Sequence, residues 1–201
     1  MRIRTIAAAL LAILTIHGFT SRLAEAAVVG GQVHVIFVDS PVDFASVGGL
    51  PEIAQRAGRC SCCRVHYYNA YRDGSWRAIS AEVQQIRRAD PNARIMLVGW
   101  SSGSMISLKA LEDLRQRGIC VDTMLHLDSF VLDMFNNRQR PRNVQRVALI
   151  YRSNNKPQNI PFDAMYLVDE NFHLSLPKQP RAINALMTEI WRLTGEVPVH
   201  H

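Results

Sequence analysis

Ser101 is the residue around which chemistry can be organised in this chain. It stands in Gly99-Trp100-Ser101-Ser102-Gly103, directly after the apolar run Ile95-Met-Leu-Val98. An amphipathic run from Met105 to Arg117 follows, apolar at positions 105, 106, 108, 111 and 114. A G-x-S-x-G turn between a buried strand and a helix forms a nucleophile elbow: the serine is held in a strained backbone conformation and its hydroxyl is presented to substrate. The two glycines let strand and helix approach closely. The chemistry such a serine performs is acyl transfer. Its hydroxyl is a weak nucleophile until a base takes the proton, and the base must itself be oriented by a third group. The plainer alternative is a Gly/Ser-rich turn in which Ser101 or Ser102 only caps the helix. The strand before the turn and the helix after it argue for the elbow.

Elements on either side must position this turn. Gln32-Val-His-Val-Ile-Phe-Val38 is near-continuously apolar, as in a parallel strand covered on both faces. The pattern then predicts a helix over 50–57 ended by Gly58, a strand over 64–68, and a helix over 76–88 with apolar positions 79, 83 and 86. Asp90-Pro91 breaks that helix before the elbow strand, and Gly118 stops the elbow helix. Further strands are expected over 121–127, 144–151 and 164–168, and a closing helix over 180–193. This alternation predicts a three-layer α/β/α sandwich with a mostly parallel central sheet. The polar connection from Arg152 to Asp163 reads as a surface loop near the site.

In its strand, G-x-S-x-G turn and helix the chain resembles the α/β-hydrolase superfamily, in particular its small bacterial lipase- and esterase-like members. The resemblance implies a catalytic order of serine, acid and histidine along the chain. Of the seven histidines, His17 lies in the leader, His34 and His66 precede the elbow, and His200 and His201 end the chain. His126 falls inside a buried-strand pattern. His173, in Asn171-Phe-His-Leu-Ser-Leu-Pro177, resembles the family's histidine in its place between the last strand and the last helix. The acid expected from the resemblance is Asp128, at the end of the strand after the elbow helix, where ligands gather in open α/β sheets. Many members carry it one strand later, but here that position reads Tyr151-Arg-Ser-Asn-Asn155, without a carboxylate. Asp133, Asp163 and Asp169 are the competing candidates.

The oxyanion hole of such a site needs two backbone N–H groups. Ser102, the residue after the nucleophile, supplies one. The second belongs to the loop after the first strand, and there the chain departs from the family pattern: Ser40 replaces the usual glycine and Pro41 has no N–H. Ser40 and Val42 are the available donors.

The N-terminus reads as a leader. Met1-Arg-Ile-Arg4 is basic, Thr5 to Ile16 is apolar, and Ala24-Glu-Ala26 presents small residues for cleavage after Ala26. The apolar run is too short for a comfortable bilayer span, so no membrane anchor is expected once it is removed. The predicted domain is residues 27–201, large enough for one ordinary core. Loss of the leader takes the net charge from +6 to +4, which gives no ground for nucleic-acid binding. The basic run Arg138 to Arg142 reads as a solvated loop. Cys60, Cys62, Cys63 and Cys120 suit disulfide bonding in an oxidising compartment, with a link to Cys120 among the possibilities. Finger-like zinc spacing is lacking, since His66 alone does not complete a set.

The expectation is therefore a secreted or periplasmic serine hydrolase acting on a small-molecule or lipid-like ester or thioester. Ser101, Asp128 and His173 would be its triad, and no metal or organic cofactor is implied. Two alternatives from other classes stand beside it: a non-catalytic protein of the same fold that binds a ligand or partner in its cleft, and a thiol-active envelope protein using Cys60, Cys62 and Cys63.

Overall fold

The computed structural model describes residues 31–41, 43, 47–69, 72, 73, 75–129, 132, 140–155 and 161–195. The expected leader, Val42, Asp133, Arg138, His200 and His201 lie outside the described residues. Every element below lies within one unit, Gln32–His201.

Six strands form one sheet: β1 (Val33–Val38), β2 (Cys63–Tyr68), β3 (Arg94–Trp100), β4 (Val121–Leu127), β5 (Val144–Arg152) and β6 (Ala164–Val168). Their order is β2-β1-β3-β4-β5-β6, and every described pairing is parallel. The sheet is thus wholly rather than mostly parallel in these elements. Four described helices accompany it: α1 (Leu50–Gly58), α2 (Trp76–Ala89), α3 (Gly103–Gln116) and α4 (Pro180–Thr194). A 3-10 turn, Leu176–Lys178, precedes the last.

Alternation along the strands divides the core in two. Val33, Val35 and Phe37 of β1 join Met96, Val98 and Trp100 of β3 on the face covered by α1 and α4. Ile36, Val38, Ile95 and Leu97 face α2 and α3. A parallel strand buried on both faces needs apolar side chains at successive positions, and all six residues of β1 are buried. In α2 the expected stripe of Ile79, Val83 and Ile86 is the buried one.

The elbow helix differs from expectation. Its buried stripe is Gly103, Ser104, Ser107, Ala110, Leu111 and Leu114, while Met105, Ile106 and Leu108 are half-buried. The cause is the closeness of helix and strand at the elbow, which admits only small side chains on the first turns of the inner face, before Leu111 and Leu114. The Ser104 hydroxyl donates to Gly99 O at 2.8 Å and that of Ser107 to Gly103 O at 3.0 Å, so the buried hydroxyls are satisfied locally. Met105 and Leu108 instead line a groove of about 460 Å³ with Lys109, Arg115, Arg140 and Arg142. That groove does not include Ser101, Asp128 or His173.

Candidate active site

Parallel strands put all their C-terminal ends on one edge of the sheet, and the candidate residues follow those ends. Ser101 comes directly after β3 and Asp128 directly after β4. Both adopt the left-handed conformation, with φ of 52° for Ser101 and 43° for Asp128, the positive values among described non-glycine residues. A side chain there costs energy that packing and hydrogen bonds must offset, and such strain concentrates at functional sites. Here the Ser101 N–H donates to Leu127 O at 2.9 Å and the Asp128 N–H to Ile150 O at 2.7 Å. Each turn is thereby tied to the end of the next strand.

The glycines of the elbow are required by distance. A Cβ on Gly99 would lie 2.6 Å from Ser104 Cα. One on Gly103 would press against the carbonyl oxygen of Val38 and stand 2.8 Å from that of Asp39, at the end of β1. The N-cap position of α3 is Ser102, whose side chain makes no capping hydrogen bond. Its Oγ meets Ser40 Oγ at 2.7 Å instead. The capping alternative for this turn therefore does not describe Ser102.

His173 reaches the edge from the loop after β6. Its Nδ1 lies 2.7 Å from Oδ2 of Asp128, across 45 residues of sequence. An ionised carboxylate can only accept, so Nδ1 carries the proton and Nε2 keeps a lone pair for use as a base. The imidazole also stacks on the indole of Trp100, with centroids 5.0 Å apart and planes at 19°. Asp128 is fully buried while about a quarter of the His173 side chain is exposed. The other described acids stand elsewhere. Asp163 precedes β6, beside Val147 partway along β5 and well short of the strand ends, where it accepts from Arg140 at 2.7 Å and from the Val147 N–H at 2.7 Å. Asp169 is exposed beyond β6.

The two oxyanion candidates differ in readiness. Ser102 opens α3, where first-turn N–H groups have no helical acceptor. Ser40 is buried, and its N–H donates to its neighbour's carboxylate, Asp39 Oδ1, at 2.7 Å. Asp39 also accepts from the Tyr67 hydroxyl. Burial pushes the Asp39 carboxyl up to about 6, against the lowering effect of the Tyr67 and Ser40 donors and with some help from Asp43. Sequence reasoning passed over Asp39 and Tyr67; a carboxylate beside the oxyanion loop was the available signal. It also read Tyr151 to Asn155 only for its missing carboxylate. That segment instead supplies Arg152 Nε, 2.6 Å from Asp128 Oδ2, and Asn155 Nδ2, 2.7 Å from Oδ1.

Three of the cysteines, Cys60, Cys62 and Cys63, lie at the far edge, around the turn from α1 into β2. The sulfurs of Cys60 and Cys62 stand at bonding distance, with their Cα atoms 5.2 Å apart. Cys63 is buried and Cys120 exposed, and neither is paired. Cys120 precedes β4, three strand positions from β2 and so on the order of 14 Å away, too far for a bridge to this cluster.

No protein-family model matches the sequence, and no curated protein matches it. Solved structures do match in shape. A putative hydrolase from Agrobacterium vitis is 14% identical, with 81% of this chain and 88% of that chain covered at a TM-score of 0.52. The NocB thioesterase domain of the nocardicin cluster is 14% identical, with 79% and 94% covered at 0.51. An α/β hydrolase enzyme from the metagenome of Mar Chica lagoon sediments is 13% identical, with 81% and 92% covered at 0.51. This chain has the α/β-hydrolase fold.

Proposed function

We propose that this protein is a secreted serine hydrolase that cleaves an ester or thioester through an acyl-enzyme. The observation that carries the reading is the 2.7 Å contact between His173 Nδ1 and Asp128 Oδ2 on the edge where Ser101 holds a positive φ. In this mechanism Ser101 Oγ attacks the acyl carbon as His173 Nε2 takes its proton. The tetrahedral oxyanion is met by the Ser102 N–H, and the imidazolium is stabilised by Asp128. Collapse expels the alcohol or thiol, protonated by His173. Water, deprotonated by the same nitrogen, then releases the acid and restores Ser101. Export follows from the leader sequence, and an oxidising destination suits a Cys60–Cys62 disulfide.

The test is a fluorophosphonate probe on purified mature protein. It should label wild type and leave Ser101→Ala unlabelled; equal labelling of both, or of neither, removes the reading. N-terminal sequencing of exported protein should begin at Ala27, and an intact Met1 would point to an uncleaved form.

A second reading is a binding protein that uses the same cleft without catalysis. The observation favouring it is the Ser40 N–H, already held by Asp39 Oδ1 instead of facing a developing oxyanion. Absence of labelling with a folded protein is the outcome it expects.

A further inference from the structure

The carboxylate of Asp128 serves more donors than His173. Its Oδ2 accepts from His173 Nδ1 at 2.7 Å and also from Arg152 Nε at 2.6 Å, and its Oδ1 accepts from Asn155 Nδ2 at 2.7 Å. Arg152 has a second contact that none of the others shares. Its Nη1 donates to the backbone carbonyl of Asn171 at 2.7 Å, two residues before His173. One planar guanidinium thus touches the candidate acid and the loop that delivers the candidate base.

We propose that Arg152 is a positioning residue of this site, which locks the Asp128 carboxylate and the His173 loop into one unit; the proposal rests on the hydrolytic reading of Ser101, Asp128 and His173.

The loop's buried apolar anchor is Leu176, three residues beyond His173, and Gln179 Nε2 donates to the Glu170 carboxylate; beside His173 itself less apolar surface is buried. Phe172 and Leu174, on either side of His173, are 74% and 49% exposed, so apolar burial does little there. The Glu170 carboxylate accepts from the N–H groups of Asn171 and Phe172 at 2.7 and 2.9 Å, which shapes the turn without joining it to the sheet. Among the described contacts from sheet to loop near His173 are the stack on Trp100, the Asp128–His173 bond and the Arg152–Asn171 bond. Of these, the Arg152 bond bears on the backbone. The Arg152 side chain is 13% exposed and Asp128 wholly buried, so the pair is shielded from solvent competition. A buried carboxylate also needs compensating charge to stay ionised, and ionised it can only accept, which enforces the Nδ1–H tautomer of His173.

Arginine is specified by this arrangement. Its Nε and Nη1 lie in one rigid plane and satisfy two acceptors at once, whereas a lysine ammonium supplies charge at a single point. Misplacement of a catalytic base by an ångström costs on the order of 100-fold in rate. Arg152→Gln, which loses the charge and the fork, should lower kcat about 10- to 100-fold with KM held within about threefold. Arg152→Lys should fall between that variant and wild type.

The experiment measures kcat and KM on a short-chain activated ester for wild type, Arg152→Gln, Arg152→Lys and the control Arg140→Gln. In parallel, the Nδ1–H proton of His173 is followed by NMR in histidine-labelled protein, assigned with His173→Gln. The proton should be protected from exchange in wild type and Arg140→Gln and lost to exchange in Arg152→Gln. If Arg152→Gln does not fold, Arg152→Lys decides by the same two measurements. Wild-type kcat together with a protected His173 proton in the folded variant overturns the proposal, as does a change confined to melting temperature. If wild type itself turns over no ester, the hydrolytic reading falls, and the NMR comparison still decides whether Arg152 orders His173.

Discussion

Asp128→Asn is the most discriminating substitution in this site. The native carboxylate is fully buried and accepts from His173, Arg152 and Asn155. An asparagine offers one oxygen and one NH2 group in the same space. With the oxygen towards His173 and Arg152, the NH2 faces Asn155 Nδ2, donor against donor. With the amide reversed, it confronts both His173 and Arg152. Either way the guanidinium, 13% exposed, loses its counter-charge. Loss of a hydrogen bond to a charged group costs about 1.5–3 kcal/mol, and stranding one partner of a buried pair about 3–5 kcal/mol. An expected cost of about 2–4 kcal/mol allows for residual solvent access and for rotation of the Asn155 amide. For a chain of this size that lowers Tm by roughly 5–15 °C. The kinetic effect should be larger: the wrong histidine tautomer lowers turnover by about four orders of magnitude. The assay is hydrolysis of an activated short-chain ester below the variant's melting range, beside Asp163→Asn and Asp169→Asn. Asp163→Asn loses a partly exposed pair with Arg140, about 1 kcal/mol or less, and should keep its rate. Near-normal turnover in Asp128→Asn, with collapse in either of the others, would refute the assignment.

Asp39 has a folded pKa raised to about 6 from 3.8, so its protonated form is favoured by folding. The associated stability is full below pH 4 and is lost as pH rises through 6. Asp39→Asn should therefore gain stability over wild type between pH 4 and 7, by at most about 3 kcal/mol. A difference that does not change with pH across that interval would contradict this. His126 acts in the opposite sense: burial holds it down to about 3, so its stability is full above pH 6.5 and lost as pH falls towards 3. His126→Phe should flatten acid unfolding by about 1.4 kcal/mol per pH unit in that window, measured by denaturant melts. Gly103→Ala should destabilise the protein by about 2 kcal/mol or more and abolish probe labelling, because its Cβ would meet the β1 backbone. Wild-type labelling and melting would show that the elbow tolerates the shift. Thiol counting under denaturing, non-reducing conditions should find two free thiols, Cys63 and Cys120, and four would exclude the Cys60–Cys62 bridge.

The elements were legible in the chain because their signals are local. The near-continuous apolar run of β1, the Ile79, Val83 and Ile86 spacing of α2 and the G-x-S-x-G pattern around Ser101 are each written within a few residues of sequence. The order of Ser101, Asp128 and His173 also pointed to residues that the fold brings to one sheet edge, because parallel strands share the side on which they end. The inner face of α3 is less legible, for a local reason of another kind. Hydrophobic periodicity marks where apolar side chains recur, not where two backbones approach closely, so Ser104 and Ser107 share the buried face with Leu111 and Leu114 while Met105 and Leu108 stay half-buried.

By itself, then, the sequence determined the alternation of strands and helices, the elbow turn and the short roll of side chains that could act there. Tertiary structure decided which of those side chains meet. The strand order β2-β1-β3-β4-β5-β6 brings the end of β5 beside Asp128, so Arg152 and Asn155 become its partners from 24 and 27 residues away. The same order separates Cys120 from Cys60 to Cys63, and burial of the β1 end raises the Asp39 carboxyl beside Ser40. These are matters of neighbourhood and of water exclusion. Both arise only when distant segments pack together, and no periodicity along the chain encodes them.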